Sequence, residues 1–150
     1  MFSKSTEYAM RACIFIAQNA SQSHRLTIQE IATGINAPKP FTAKILQKLS
    51  HKENPLIHSS PGPAGGFYFT EEGLLINVYD IIQVMGEQNI IESCVLGFET
   101  CSDTNPCAMH HEYKSVKQSL LQIFKTKTIK ELSSPNNPLI YNFSINNLGN

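Results

Sequence analysis

"LTIQEIATGINAPKPFTAKILQKLSHKE", residues 26 to 53, is the stretch on which the fold turns. Thr27 followed three residues later by Glu30 forms a capping box, in which each side chain satisfies a backbone amide the helix leaves unpaired. Ile28, Ile31 and Ala32 then face inward, and Gly34 permits a sharp exit. In the second half, Phe41, Ile45 and Leu49 form a buried stripe, with Lys39, Thr42, Lys44, Gln47, Lys48 and Lys52 elsewhere on the surface. Two short helices joined by a glycine-containing turn, the second of them basic, describe a helix-turn-helix. A lysine-rich outer face is also what any solvated helix pair shows, so the flanking segments have to decide between the two.

Upstream, "STEYAMRACIFIAQ" (5 to 18) repeats Tyr8, Ala9, Ala12, Cys13 and Ile16 at helical spacing, with Arg11 and Gln18 off that face. Downstream, "LIHSSPGPAGGFYF" (56 to 69) sets strand-prone Leu56 and Ile57 before a Pro/Gly turn, then Phe67, Tyr68 and Phe69. A β-hairpin directly after a helix-turn-helix is a wing, and its tip glycines allow close approach to a DNA backbone or minor groove. The DNA-facing set expected from both parts is Lys39, Thr42, Lys44, Gln47, Lys48, Ser60, Gly62 and Gly65. After the wing, "NVYDIIQVMGE" (77 to 87) reads as a helix capped by Asn77 and Asp80, apolar along Val78, Ile81, Ile82 and Met85, and ended by Gly86.

The segment "ESCVLGFETCSDTNPCAMHHEY" (92 to 113) holds three of the four cysteines. Six residues separate Cys94 from Cys101 and five separate Cys101 from Cys107, wider gaps than the two to four usual in zinc ribbons. The intervening Gly, Ser, Asp, Asn and Pro make a loop able to wrap a larger inorganic core. Asn105 and Pro106 read as a cap and first helical residue, which places Cys107 in a first turn whose free amides favour a thiolate, with His110 on the same face. The competing readings are inert buried cysteines or a thiol redox switch. Cys13 belongs to the apolar face of the first helix and is expected to be core packing.

Beyond the loop, Met109, Tyr113, Val116, Leu120 and Ile123 recur at alternating steps of four and three, a heptad seam. With no second seam in the chain, a second copy is the expected partner, which in a two-fold dimer sets two recognition helices about 34 Å apart, one per successive major groove. The alternative is that this helix folds back on its own front half. The tail from Ser133, Asn/Pro-rich and uncharged, is expected to be loosely docked or disordered.

Charge supports a reader joined to a controller. The formal net charge is zero, but residues 1 to 70 carry seven Lys or Arg against three Asp or Glu, and 71 to 150 carry five against nine. The apolar run at Ala12 to Ala17 is too short for a signal peptide or a membrane span, so a reducing cytoplasm, a setting in which clustered cysteines more often bind metal, and no membrane partner are expected. An enzyme using Cys107 as nucleophile and His110 or His111 as base lacks any accompanying substrate-cradling motif, so no enzymatic activity is expected.

The order "EYAMRACIFIA", "TIQEIA", "KILQKL", "GPAGGFYF" and "VYDIIQVMGE", followed by the cysteine loop, resembles the Rrf-two type of winged-helix repressors, the family of the regulators IscR and NsrR, over about residues 1 to 126. The resemblance implies a cytoplasmic homodimer that binds a palindromic double-stranded operator and senses redox state, iron-sulfur status or nitric oxide through an iron-sulfur cluster, 2Fe-2S or 4Fe-4S. It also implies Cys94, Cys101 and Cys107 as ligands, and offers two fourth ligands. His110 matches the histidine of IscR-like members, and Glu7 stands where NsrR-like members have an aspartate that ligates from the partner subunit. Three departures are visible. Pro61 replaces an arginine before the wing glycines, Pro38 and Pro40 crowd the start of a longer recognition helix, and the first cysteine gap is one residue longer.

The expected fold is mainly α, a winged helix-turn-helix with a small β-hairpin wing and a long C-terminal dimerisation helix. Its expected organisation is a DNA-binding domain at 1–76, a connecting helix at 77–93, the cluster loop at 94–107, the dimerisation helix at 108–132 and the tail at 133–150.

Overall fold

The computed structural model describes residues 1–136, and the expectation for the tail falls almost wholly outside them. Helix α1 (Lys4–Asn19) starts at Ser3, whose hydroxyl accepts from the Thr6 amide at 3.3 Å, and it buries Ala9, Ala12, Cys13 and Ile16. It is the pillar of the head, packed against four other helices and the wing. The Cys13 thiol is fully enclosed, and desolvation pushes its pKa up to about 12.

Helix α2 (Ile28–Gly34) carries the expected capping box of Thr27 and Glu30. Gly34, however, does not make the turn. The left-handed residue is Asn36 at φ 53°, while a Cβ at Gly34 would lie 2.1 to 2.6 Å from the Phe15 ring. That glycine is a packing site.

Helix α3 (Lys39–Leu49) begins after Pro38, with Pro40 in the first turn, where no amide partner is lost. The prolines therefore start the helix and do not crowd it. Its buried face is Thr42, Ile45, Leu46 and Leu49, which keeps Ile45 and Leu49 of the expected stripe and puts Thr42 where Phe41 was expected. Thr42 is wholly buried because its hydroxyl donates to the Pro38 carbonyl at 3.0 Å, and Phe41 is 38% exposed, edge-on to Tyr8.

Strands β1 (His58–Ser60) and β2 (Gly66–Tyr68) pair antiparallel, His58 opposite Tyr68 and Ser60 opposite Gly66. The first strand starts two residues later than Leu56. Leu56 and Ile57 instead turn inward, and both amides donate to the Leu49 carbonyl. Leu26 joins Phe67 through two backbone bonds of 3.1 and 2.8 Å, tying the wing to the start of α2.

Helix α4 (Val78–Val84) has the Asn77/Asp80 capping box, ends at Gly86 (φ 78°), and is followed by the short α5 (Asn89–Glu92). The connecting element at 77–93 is thus two helices. Likewise, the single helix expected over 108–132 is α6 (His110–Thr126) and α7 (Ile129–Ser133). They part at Thr128, which forms its own capping box with Glu131, and Ile129 is buried in the head core. A second core joins Val78, Ile82 and Ile91 with Phe2, Leu120, Leu121 and Phe124, so one face of α6 packs on α4, and Leu120, expected in the dimer seam, turns into the chain's own core. No residue of α6 is fully buried, and Val116 and Ile123 on it remain 51% and 52% exposed, in line with Met109 just ahead at 44%. Among the described residues no helix is long and apolar enough to cross a membrane.

Candidate metal centre and nucleic-acid interface

The cysteine loop is pinned at both ends. Before it, Glu92 accepts from the Tyr79 hydroxyl through its carboxylate and from Lys117 Nζ through its carbonyl at 2.8 Å, which fixes α5 against α4 and α6. A turn closed by Gly97 N–H to Cys94 O at 2.9 Å, with Gly97 at φ 78°, reverses the chain after the first thiol. Between the other two thiols, Ser102 and Asn105 exchange backbone bonds of 3.2 and 3.1 Å, and the Asn105 side-chain amide also donates to the Thr100 carbonyl. Asn105 therefore closes a miniature hairpin and caps no helix. Helix α6 starts only at His110, whose amide donates to the Cys107 carbonyl at 3.1 Å, so Cys107 lies ahead of the first turn.

This arrangement brings three sulfurs together. Cys94, Cys101 and Cys107 Sγ all lie within 4.8 Å of one another, with Cys94 and Cys107 3.6 Å apart. His110 joins them, its Nδ1 3.1 Å from Cys101 Sγ. On the opposite edge of the ring, Nε2 lies 2.9 Å from Asp103 Oδ1, and both Asp103 oxygens accept from Lys114 Nζ at 2.7 Å. Lys114 and then His110 hold the Asp103 carboxyl down at about 2. The group faces a cavity of about 600 Å³ lined also by Phe98, Tyr113 and Lys117.

The electrostatics depart from the expectation at Cys107. Desolvation raises that thiol, and the Met109 amide only partly offsets it. At Cys94, desolvation is outweighed by the Phe98 and Leu96 amides and by the neighbouring thiols, leaving a pKa of about 7. Loop amides, and no helix terminus, supply the thiolate environment. Three soft sulfur donors and an imidazole suit iron-sulfur ligation or zinc. Glu7, the other fourth-ligand candidate, sits in the first turn of α1 with its carboxylate 2.8 Å from Lys4 Nζ, outside this donor group within the chain.

On the head, Lys39, Lys44, Gln47 and Lys48 are exposed along α3, as expected for DNA contact. Thr42 is corrected, since a side chain enclosed in the core and bonded to its own helix offers nothing to a groove. Ser60 and Gly65 are half-buried in the wing, and Gly62 is exposed at its tip. A Cβ at Gly65 would lie 2.2 Å from the Ser60 carbonyl, so that glycine closes the turn. Sequence reasoning passed over Arg25, which lies over the Tyr68 ring at 5.4 Å, and His58, which stacks on the same ring. It also passed over Asp103 and Lys114. Lys114, four residues after His110 on one helix face, was the available signal.

A helix-turn-helix followed by a hairpin wing defines a winged-helix DNA-binding regulator. The chain belongs to the Rrf2 family, described as "Iron-dependent Transcriptional regulator", which it matches over residues 2–135. It is 34% identical over 134 residues to a protein of Aquifex aeolicus (strain VF5) named "Putative HTH-type transcriptional regulator", covering 88% of this chain and 90% of that one. Among solved structures it resembles CymR, the global cysteine regulator of B. subtilis, at TM-score 0.71 and 18% identity, covering 89% of this chain and 95% of that one. It also resembles T. potens IscR at TM-score 0.62 and 22% identity, covering 87% and 84%. The family is one of transcriptional regulators, and the mainly helical fold with its small two-stranded wing is theirs.

Proposed function

We propose that this chain is a homodimeric repressor whose hold on a palindromic operator is set by an iron-sulfur cluster bound at Cys94, Cys101, Cys107 and His110. The observation that carries this reading is the convergence of the three sulfurs within 4.8 Å together with His110 Nδ1 at 3.1 Å from Cys101. The four donors sort into two close pairs, Cys94 with Cys107 and Cys101 with His110, and two donors per iron is what a 2Fe-2S centre takes. The family's iron-dependent description supports the same metal. When bound, such a centre supplies one-electron redox chemistry and reactivity toward nitric oxide.

The residues of the chain do the rest. Lys39, Lys44 and Lys48 neutralise operator phosphates, so affinity falls as salt rises, and Gln47 faces base edges. The uncovered Met109, Val116 and Ile123 stripe pairs with its copy and fixes the spacing of the two heads. The loop acts on that spacing through Glu92, which Tyr79 of α4 and Lys117 of α6 both hold.

A second reading keeps the same frame with a single zinc ion, favoured by the mutual closeness of all three sulfurs. The test is anaerobic purification and reconstitution, with iron, acid-labile sulfide and zinc measured per chain. Iron and sulfide in equal amounts with visible absorbance support the cluster, and stoichiometric zinc in colourless protein replaces it with the second reading. His110→Ala and Glu7→Gln separate the fourth ligands, the first changing the visible spectrum and the second leaving it intact.

A further inference from the structure

The ring of His110 is held from both sides, and only one side belongs to the thiols. An ionised carboxylate is an acceptor only, so the 2.9 Å contact between Asp103 Oδ1 and Nε2 places the imidazole proton on Nε2. In the neutral imidazole Nδ1 is then the bare nitrogen, and it is the one aimed at Cys101. Asp103 cannot swing away freely, because Lys114 Nζ grips both of its oxygens at 2.7 Å from one turn along α6. The miniature hairpin of Ser102 and Asn105 fixes its backbone from the other side. We propose that Asp103, clamped by Lys114, is the positioning residue that sets the tautomer and orientation of His110 and thereby governs how firmly the metal centre is retained. This rests on the reading of His110 as a ligand. Carboxylates that accept from the far nitrogen of a ligating histidine fix its orientation and raise its basicity, and their loss typically weakens metal binding 10- to 100-fold.

The test uses the full-length protein in two states. In the metal-free form, nitrogen-15 NMR of the imidazoles should show His110 as the Nε2–H tautomer in the wild type and a tautomer mixture in Asp103→Ala. In the anaerobically reconstituted and reduced form, pulsed EPR should show a histidine nitrogen coupling in the wild type. Iron release to a chelator should be about tenfold or more faster in Asp103→Ala. Asp103→Asn, whose Oδ1 still accepts from Nε2, should restore most of the retention, a rescue that general loosening of the loop would not give. Asp103 is 65% exposed, so these variants leave the fold intact. An unchanged His110 tautomer, nitrogen coupling and release rate in Asp103→Ala overturn the inference while leaving His110 a ligand. A wild-type centre with no nitrogen coupling overturns the ligand reading itself, and this inference with it.

Discussion

Replacing Ile123 by Ala tests the proposed dimer stripe. Ile123 is 52% exposed, and it continues the line through Met109 and Val116 on a helix with no fully buried residue. The substitution deletes three carbon groups, each contributing about 0.8 kcal/mol on full burial. Because close to half of that surface is still uncovered in the single chain, covering it contributes about 1.2 kcal/mol per protomer and about 2.4 kcal/mol per two-fold dimer. The dimer dissociation constant should rise about 50-fold. Sedimentation equilibrium over a dilution series reads this directly, while the urea stability of the monomer should fall by about 1 kcal/mol, the share of the side chain already covered within the single chain. Leu75→Ala, which removes a 59% exposed side chain away from α6, is the control and should leave association unchanged. An Ile123→Ala dimer as tight as wild type, or one weakened no more than the Leu75 control, would refute the assignment of this face.

The remaining predictions address the head. Lys44→Ala should reduce the slope of log operator affinity against log salt by about one for each phosphate left without its lysine, whereas Thr42→Val, enclosed in the core, should leave that slope unchanged in the same gel-shift series. Gly66→Ala should cost operator affinity by disrupting the wing, because φ is 150° there and a Cβ would lie 2.6 Å from the Leu26 carbonyl; weaker hairpin amide protection in hydrogen exchange checks it. Cys13 gives a pH dependence. Its pKa rises from 9.0 to about 12 on folding, so the folded state favours the neutral thiol, and that contribution is complete below pH 9 and lost as pH rises through 12. About 1.4 kcal/mol should be gone at pH 10, read as a narrowing of the urea stability gap between wild type and Cys13→Ala.

Locally encoded features were legible in the sequence. The capping boxes at Thr27/Glu30 and Asn77/Asp80 involve residues three apart and form where read. The hairpin and the apolar face of α1 likewise depend on short-range pattern. What escaped was set by tertiary choices. Thr42 takes the core position expected of Phe41 because a hydroxyl that bonds its own helix can be buried without leaving a polar group unmet, so hydrophobicity alone placed Ile45 and Leu49 correctly and missed this one position. Asn105 is an equally good helix cap and turn residue, and its bonds to Ser102 and Thr100 decided for the turn. The break between α6 and α7 was written in the chain as Thr128 followed by Glu131, a capping box like the two that were read, just beyond the end of the heptad seam at Ile123. For the site, cysteine spacing located the thiols and the four-residue step from His110 to Lys114 was readable, while Asp103 reaches both from a loop and has no local pattern.

The central claim is that a metal centre at Cys94, Cys101, Cys107 and His110 governs operator affinity. Its most direct test is operator binding by one anaerobic preparation at fixed salt, with the dimer confirmed, before and after chelation of its metal. The loaded protein should hold iron and sulfide, and its operator affinity should change by about tenfold or more on removal, an effect abolished in Cys101→Ala. Equal affinity of the loaded and stripped dimers for the same operator would contradict it.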